Sequence, residues 1–157
     1  MQRRQYRYDS IGNVTHKDGQ AYVYGSSKPH AVTQVGSSSY VYADNNGNLT
    51  SDSTGRLFSY TTFDKPHLIS NASGDSTAFD YGPDRARYKR VDTRAGGEVI
   101  TTLYLGTVEL IKRSSESTVK WKRYLPGDAV FTYTTNAANA QQSLDKRYLL
   151  KDHIGVS

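Results

Sequence analysis

The chain has 157 residues, long enough for one domain with a buried core, and it contains no cysteine, which excludes disulfides and thiolate metal sites. Its formal charge of +5 results from 20 Lys and Arg against 15 Asp and Glu, with acids interleaved among the bases. Because such charges are typical of solvated strand faces, we do not expect a nucleic-acid partner.

Tyrosine dominates the large side chains, with 13 Tyr against four Phe, one Trp and one Met. A tyrosine that contributes apolar surface still needs water or a partner for its hydroxyl group. The composition therefore favours a thin, hydrated sheet over a compact globule. No apolar run approaches the ~18 residues of a membrane helix, and no apolar region follows the basic amino terminus, so the sequence predicts neither a membrane span nor a Sec signal.

The first element along the chain is a unit of strand, turn and strand that occurs again. The segment YRYDSIGNVT at Tyr6–Thr15 returns as YVYADNNGNLT at Tyr40–Thr50. Tyrosines two residues apart point to the same face of a strand, and Asp followed by Gly-Asn favours a tight turn. The predicted turn residues are Asp9 with Gly12 and Asp44 with Gly47.

The two copies differ by one residue. Tyr8 precedes Gly12 by four residues, whereas Tyr42 precedes Gly47 by five. A β-bulge or a longer turn would absorb the extra residue.

Short segments rich in Thr, Tyr and Val, separated by turn residues, dominate the rest of the chain. This pattern is typical of hairpins in series and predicts an all-β fold of consecutive antiparallel β-hairpins. The segment Asn136–Leu144 has helix-forming residues but no apolar periodicity, so we predict an exposed loop within a hairpin. The predicted strands are Ala21–Tyr24, Ala31–Val35, Ser39–Tyr42, Arg56–Thr62, Ser76–Tyr81, Tyr88–Asp92, Glu98–Leu105, Val108–Arg113, Thr118–Leu125, Ala129–Thr135 and Lys146–Leu150.

Aromatic residues recur with a loose period near 20 residues, the gaps ranging from 16 to 24. Self-similarity at this spacing indicates stacked supersecondary units. We expect the tyrosines among them to form a structural seam of cross-strand pairs between hairpins. The predicted seam consists of Tyr8, Tyr24, Tyr42, Tyr81, Tyr104, Tyr124 and Tyr148.

Several segments, in this order, resemble the RHS or YD-repeat proteins, a family named for the Tyr-Asp pair of its repeat. They are YRYDSIGNVT, KPHAVTQVG, FDKPHLIS, FDYGPDRARYKR, YLGTVELIK and RYLPGDAVFTY. RYLLKDHIG at Arg147–Gly155 resembles the hallmark of the RHS repeat-associated core domain, which gives Asp152, His153 and Gly155 a structural role in the repeat. The resemblance spans nearly the whole chain.

The resemblance implies a β-strand spiral that closes into a hollow shell around a carboxy-terminal toxin, as in bacterial polymorphic toxins. We expect residues 1–157 to be a single segment of such a wall, incomplete at both ends and part of a larger secreted or cell-surface bacterial protein. Its expected partners are the remainder of the shell and the enclosed toxin. Other shell fragments and secretion-system components are further candidates.

Catalytic and metal chemistry find little support in the sequence. Asp152 and His153 are adjacent, and neighbouring residues of a strand face opposite sides, so they make a poor catalytic dyad. The spacing of His16, His30, His67 and His153 matches no compact metal motif. We therefore expect no enzyme activity, no cofactor and no metal.

Two other functions stay open at this point. Exposed tyrosines and polar side chains could make the chain a module that binds carbohydrate or a cell-surface partner. An enzyme, either the toxin itself or a self-cleaving protease, would require a polar pocket with a perturbed acid or base.

Overall fold

The structure, a computed structural model, describes residues 5–25, 27–126 and 128–148. Within these residues all regular structure is β-strand, so no helix is available that could cross a membrane. Fifteen strands follow one another: β1 (Tyr6–Tyr8), β2 (Val14–Lys17), β3 (Gln20–Val23), β4 (Gln34–Val35), β5 (Ser38–Val41), β6 (Ser51–Asp52), β7 (Leu57–Tyr60), β8 (Pro66–Ser70), β9 (Ser76–Tyr81), β10 (Arg87–Thr93), β11 (Val99–Leu105), β12 (Val108–Arg113), β13 (Val119–Leu125), β14 (Ala129–Thr135) and β15 (Gln141–Tyr148).

The described residues form two compact units that divide after Ala72. In the first unit, β1 to β8 pair in sequence order, each antiparallel to the next. In the second unit, β9 to β15 pair in the same way. The prediction of an all-β fold of consecutive antiparallel hairpins is confirmed. That residues 1–157 form a single repeat segment stays a prediction.

Few side chains are fully withdrawn from water. Among the described residues, the buried apolar side chains are Ile100 and Ala129, at 8% and 7% exposure. The buried polar residues outnumber them: Asn13, Asp52, Asp92, Thr102 and Thr135. Burying a polar group is costly unless it is hydrogen-bonded, and the side chains of Asn13, Asp52, Asp92 and Thr135 all take part in side-chain hydrogen bonds.

One turn geometry recurs in both units. The first residue donates its N–H to the carbonyl of the fifth, and the fourth residue, with positive φ, donates to the carbonyl of the first. This is a type I turn followed by a left-handed bulge residue. Such turns begin at Asp9, Asp52, Thr61, Gly82, Arg94 and Asn136. The left-handed position is occupied by Gly12, Gly55, Asp64, Arg85, Gly97 and Asn139.

The predicted loop at Asn136–Leu144 is shorter than expected. The Oδ1 atom of Asn136 accepts hydrogen bonds from the N–H groups of Ala138 and Ala140, both at 3.0 Å, and closes the turn. Strand β15 therefore begins at Gln141 instead of Lys146. Its polar residues tolerate this position because all eight residues of β15 are exposed.

Other strand boundaries also differ from those predicted. The predicted strand Ala31–Val35 is a strand only at Gln34–Val35, and Leu149 and Leu150 at the end of the last predicted strand lie outside the described residues. Strand β8 was not predicted. It begins at Pro66, and a proline is tolerated at the first position of a strand, where its missing N–H removes the fewest ladder bonds.

Candidate functional site

The first repeat turn is closed by the carboxylate of Asp9. Its Oδ1 atom accepts hydrogen bonds from the N–H groups of Ile11 and Asn13, at 3.0 and 2.9 Å, and its Oδ2 accepts one from the Asn13 side chain at 2.9 Å. Desolvation raises the pKa of Asp9, but these donors outweigh it and hold the pKa below its ordinary value. The Asp of the Tyr-Asp pair thus acts as a charged acceptor for the turn.

The second repeat turn has the same length as the first. The Oδ1 atom of Asp44 accepts hydrogen bonds from the N–H groups of Gly47 and Asn48, at 2.8 and 2.7 Å. Ala43, which precedes this Asp, is the extra residue of the second copy, and its N–H donates to the Oγ1 atom of Thr50 at 3.1 Å. The one-residue difference therefore lies between the end of β5 and the turn, and the turn itself is not longer.

Asn13 connects the first turn to a distant segment. Its Nδ2 group donates to Asp9 and to the carbonyl oxygen of Pro29, at 2.9 and 2.8 Å. With both amide hydrogens so placed, the Oδ1 atom faces His30 and accepts a hydrogen bond from its Nδ1–H at 2.7 Å. Asn13 is 8% exposed, so this turn residue is also a buried bridge.

The polar connections continue to the second turn. The Nζ group of Lys28 donates to the carbonyl oxygen of Asp44 at 2.5 Å and lies 3.6 Å from its carboxylate. The side-chain amides of Asn46 and Asn48 donate to the Oδ1 atom of Asp64, at 2.7 and 3.0 Å. Side-chain contacts thus join turns of the first unit that are separated in sequence by another turn.

A cleft of 420 Å³ opens beside these connections. It is lined by Lys28, Pro29, His30, Ala31, Tyr42, Asn46 and Gly47. Desolvation, with smaller effects of Tyr40 and Tyr24, raises the pKa of Tyr42, so its phenol is neutral at physiological pH. The cleft therefore combines an aromatic ring with several hydrogen-bonding groups.

Two tyrosines anchor the strand that follows each repeat turn. The hydroxyl group of Tyr24 donates to the carbonyl oxygen of Val14 at 3.1 Å, and that of Tyr60 donates to the carbonyl oxygen of Leu49 at 2.9 Å. Val14 and Leu49 occupy the same place in the repeat, directly after the turn Asn. Tyr24 belongs to the predicted seam, whereas Tyr60 does not, although its gaps of 18 residues from Tyr42 and 21 residues to Tyr81 also fit the loose aromatic period.

In the second unit, two seam tyrosines contact charged side chains. The Arg87 guanidinium lies 4.5 Å from the ring centre of Tyr104 and 5.3 Å from that of Phe79. The hydroxyl group of Tyr124 donates to the Oε1 atom of Glu109 at 3.1 Å. Desolvation and this carboxylate raise the pKa of Tyr124. These contacts are polar and cationic, and the structural seam of aromatic cross-strand pairs stays a prediction.

Three further predicted residues, Tyr8, Tyr81 and Tyr148, each occupy the last position of a strand. Tyr8 is 61% exposed and stacks on Tyr6 of the same strand, with ring centres 6.5 Å apart, as the two-residue spacing predicts. Tyr81 ends β9 opposite Arg87, and Tyr148 is 68% exposed at the end of β15. Asp152, His153 and Gly155 lie outside the described residues.

Asp52 is a network centre that the sequence analysis missed. Its Oδ1 atom accepts hydrogen bonds from the hydroxyl and N–H of Thr54, at 2.6 and 3.0 Å, and its Oδ2 atom accepts one from the Nε of Arg56 at 2.7 Å. The Thr54 hydroxyl and the Arg56 guanidinium lower its pKa to about 2 despite desolvation. The Asp52-Ser-Thr-Gly55 spacing matches that of Asp9 and Gly12, a signal that could have identified it.

A comparable centre in the second unit is Asp92, at 5% exposure. Its Oδ1 atom accepts hydrogen bonds from the hydroxyl of Thr77 at 2.7 Å and from the Nε and Nη2 groups of Arg90 at 2.9 and 2.8 Å. The carboxylate raises the pKa of Arg90. No sequence pattern distinguishes Asp92 from an ordinary strand residue, since Thr77 lies 15 residues away.

These networks are structural in character. Within residues 5–25, 27–126 and 128–148, no group of three His, Cys, Asp or Glu side chains is placed to hold a metal ion. The side chains brought together by the turns close loops and join hairpins, and Asp9, Asp52, Arg90 and Tyr124, whose pKa values are shifted, act as hydrogen-bond acceptors or donors within them. Comparison with models of known protein families and with curated proteins found no match.

Proposed function

We propose that the chain is a wall segment of an RHS-type shell from a bacterial polymorphic toxin, whose role is to enclose a carboxy-terminal toxin. The observation that carries the proposal is the repeated hairpin unit, with its Asp-closed turn and its tyrosine anchored to the residue after the turn Asn. The Asp-closed turns and the two bonded residues Val14 and Leu49 lie in the two copies of the Tyr-Asp repeat, and Tyr24 and Tyr60 follow these copies by nine or ten residues.

The mechanism is containment, without catalysis by this segment. Each hairpin pairs with the next in sequence order, and the turn-to-turn contacts at Asn13 and Lys28 fix the spacing of neighbouring hairpins. A wall built in this way needs little buried apolar core, in agreement with the few buried apolar residues described. Backbone ladders and aromatic or polar cross-strand pairs, each about 0.2–1 kcal/mol, supply the stability instead.

Limited proteolysis of the complete polypeptide encoded by the reading frame that contains this segment tests the proposal. We expect its carboxy-terminal region to resist trypsin in the intact protein and to become cleavable in the double variant Asp9→Ala, Asp52→Ala, which weakens two turns. Ser10→Ala, an exposed substitution in the same turn as Asp9, is the matched control. A reading frame with no further repeats and no carboxy-terminal domain, or a carboxy-terminal region digested equally in all variants, would overturn the proposal.

The cleft beside Lys28 favours a second candidate, a module that binds carbohydrate or a cell-surface partner. Tyr42 offers a ring on which a sugar can stack, and Lys28 and Asn46 offer hydrogen-bond donors at its edge. A glycan array with the folded chain tests this function. Saturable binding that is lost in Tyr42→Ala but kept in Tyr88→Ala would support it, and no binding across diverse glycans would reject it.

A further inference from the structure

Strand register assigns the side chains of β11 to β15 to two faces. Residues directly opposite in antiparallel strands share a face, and residues alternate between faces along each strand. Trp121 lies opposite Leu110 and Tyr133, and the same row continues to Leu103 and Leu144. We call the face that carries this row the Trp121 face, and the opposite one, which carries Lys122, the Lys122 face.

The Trp121 face carries an apolar row across five consecutive strands. The rings of Trp121 and Tyr133 stack with centres 6.1 Å apart and an interplanar angle of 7°, and the Trp121 Nε1–H donates to the hydroxyl of Thr135 at 3.1 Å. Leu105 and Leu144 on the same face are 54% and 47% exposed. These side chains are held in order, yet no second layer covers them among the described residues.

Charge is sorted between the two faces. The acids of β11 to β15 are Glu109 and Asp145, and register places both on the Lys122 face. There they lie 3.9 Å from Lys122 and 2.8 Å from Arg147, respectively. The Trp121 face of these five strands has no carboxylate but carries three cations: Lys112, Arg123 and Lys146.

None of the three cations forms an ion pair with a described residue. Lys146 lies over the ring of Phe131, with its Nζ 5.3 Å from the ring centre, so its charge is positioned at the apolar surface. Register places Arg123 directly opposite Phe131 as well. An apolar surface bordered by unpaired cations fits a partner that presents apolar and acidic groups together.

We infer that the Trp121 face binds an extended polypeptide segment whose facing side chains alternate between apolar and acidic residues. A sheet with an apolar face is stabilised by a second layer, and this one lacks such a layer among the described residues. A second copy of the same face is a poor partner, because Lys112, Arg123 and Lys146 would meet like charges. A membrane surface is also less suitable, since four of the five residues in the row, Leu103, Leu110, Trp121 and Tyr133, are only half-exposed.

The inference deepens the proposed function and rests on it in one respect. The proposed function identifies the bound segment as part of the enclosed carboxy-terminal polypeptide. The inference assigns the contact with that polypeptide to one face of the wall and to a particular charge. The face and its charge are defined by strands of the second unit, so the inference does not depend on how the wall closes.

Trp121, the single tryptophan of the chain, reports binding on this face through its fluorescence. The probe is a capped, strand-length peptide of repeating Leu-Thr-Glu-Thr, which presents Leu and Glu on one face. We expect it to shift the Trp121 emission to shorter wavelength in a saturable way. Repeating Leu-Thr-Lys-Thr and Thr-Thr-Glu-Thr peptides, which reverse the charge or lack the apolar group, should bind at least about tenfold more weakly.

Matched variants locate the binding. The triple variant Lys112→Gln, Arg123→Gln, Lys146→Gln should lose about tenfold in affinity, whereas Lys120→Gln, Lys122→Gln on the opposite face should keep it, with far-UV circular dichroism confirming that both fold. Equal binding of the Lys-containing peptide, equal loss in both variants, or no shift at all would overturn the inference. So would a shift that only vesicles of anionic phosphatidylserine produce. If the peptide does not bind but the carboxy-terminal region of the complete polypeptide still resists trypsin, the inference is wrong and the proposed function is retained.

Discussion

The hydroxyl group of Tyr60 donates a hydrogen bond to the carbonyl oxygen of Leu49, 2.9 Å away, across 11 residues of chain. Tyr24 makes the equivalent bond to Val14 in the first copy of the repeat. Both tyrosines are half-buried, and each hydroxyl satisfies the first carbonyl after the turn Asn. One side chain thus supplies both apolar contact and polar satisfaction, which explains how a chain with so many tyrosines needs so few buried aliphatic residues.

Removing the Tyr60 hydroxyl should therefore destabilise the protein. Tyr60→Phe keeps the ring but leaves the Leu49 carbonyl without this donor, and we expect a loss of about 0.5–1.5 kcal/mol in the free energy of unfolding, measured by urea denaturation. Tyr88→Phe is the control, because Tyr88 is 47% exposed and its hydroxyl makes no hydrogen bond to a described residue. Equal effects of the two substitutions would contradict the role of the Tyr60 hydroxyl.

The lowered pKa of Asp52 predicts a dependence of stability on pH. Hydrogen bonds from Thr54 and Arg56 lower its pKa from 3.8 to about 2 in the folded chain. Because the folded pKa lies below the unfolded one, its stabilising effect is present above the unfolded pKa and is lost as pH falls through the folded pKa. We expect the thermal midpoint to fall between about pH 4 and about pH 2, and less steeply in Asp52→Asn.

The Asp52→Asn comparison isolates one group among several. Asn keeps an oxygen that can accept from Thr54 but carries no charge for Arg56. Asp84→Asn is a suitable control, since the Asp84 carboxylate lies in an exposed turn and accepts from the Ala86 N–H. A wild type and an Asp52→Asn variant with parallel pH profiles would count against this assignment.

Substitutions at two adjacent glycines distinguish the effect of backbone conformation from the effect of available space. A Cβ atom at Gly96 or at Gly97 would meet no other atom within 4 Å, but only Gly97 has a left-handed φ, of 84°. Gly97→Ala should therefore cost about 1–2 kcal/mol of unfolding free energy. By contrast, Gly96→Ala should be neutral or stabilising by up to about 1 kcal/mol, because it restricts the unfolded chain. Similar destabilisation by both would show that the turn does not require the left-handed conformation.

The hydrogen bond from Trp121 to Thr135 is testable by an isosteric change. Thr135 is 6% exposed, and Thr135→Val keeps its shape while removing the acceptor of the Trp121 Nε1–H. We expect a loss of about 1 kcal/mol in unfolding free energy, with a changed Trp121 emission spectrum. Thr132→Val, on the opposite face of the same strand, should leave the spectrum unchanged. An unchanged spectrum in Thr135→Val would mean that the indole has another partner.

The local features of the hairpins could be predicted from sequence. The turn at Asp9 and Gly12 depends on residues four positions apart or fewer, and alternation along a strand has a period of two. Such signals survive in a single sequence because the interactions they reflect are short-range. The same reasoning failed at Asn136–Leu144, where the turn side chain closes a shorter loop and pairing against β14 extends β15.

Long-range contacts were not predictable in this way. Asn13 reads as a turn residue, yet its side chain also reaches Pro29 and His30, 16 and 17 residues away. Asp92 looks like a surface acid until register places the hydroxyl of Thr77, 15 residues away, beside it. Each of these contacts depends on which strand lies beside which and at what offset, and a shift of one residue would turn the side chains to the other face.

The sequence by itself determined that this protein is a series of antiparallel hairpins with Asp- and Gly-based turns, because turn chemistry and strand alternation are local. Only the tertiary structure decided which side chains meet over long range: the tyrosine hydroxyl with the carbonyl after the turn, the carboxylate of Asp92 with Thr77, and Trp121 with Tyr133. It also decided that acids and unpaired cations of β11 to β15 lie on opposite faces. The physical reason is that register, a property of paired strands, sets the face and the neighbours of every side chain.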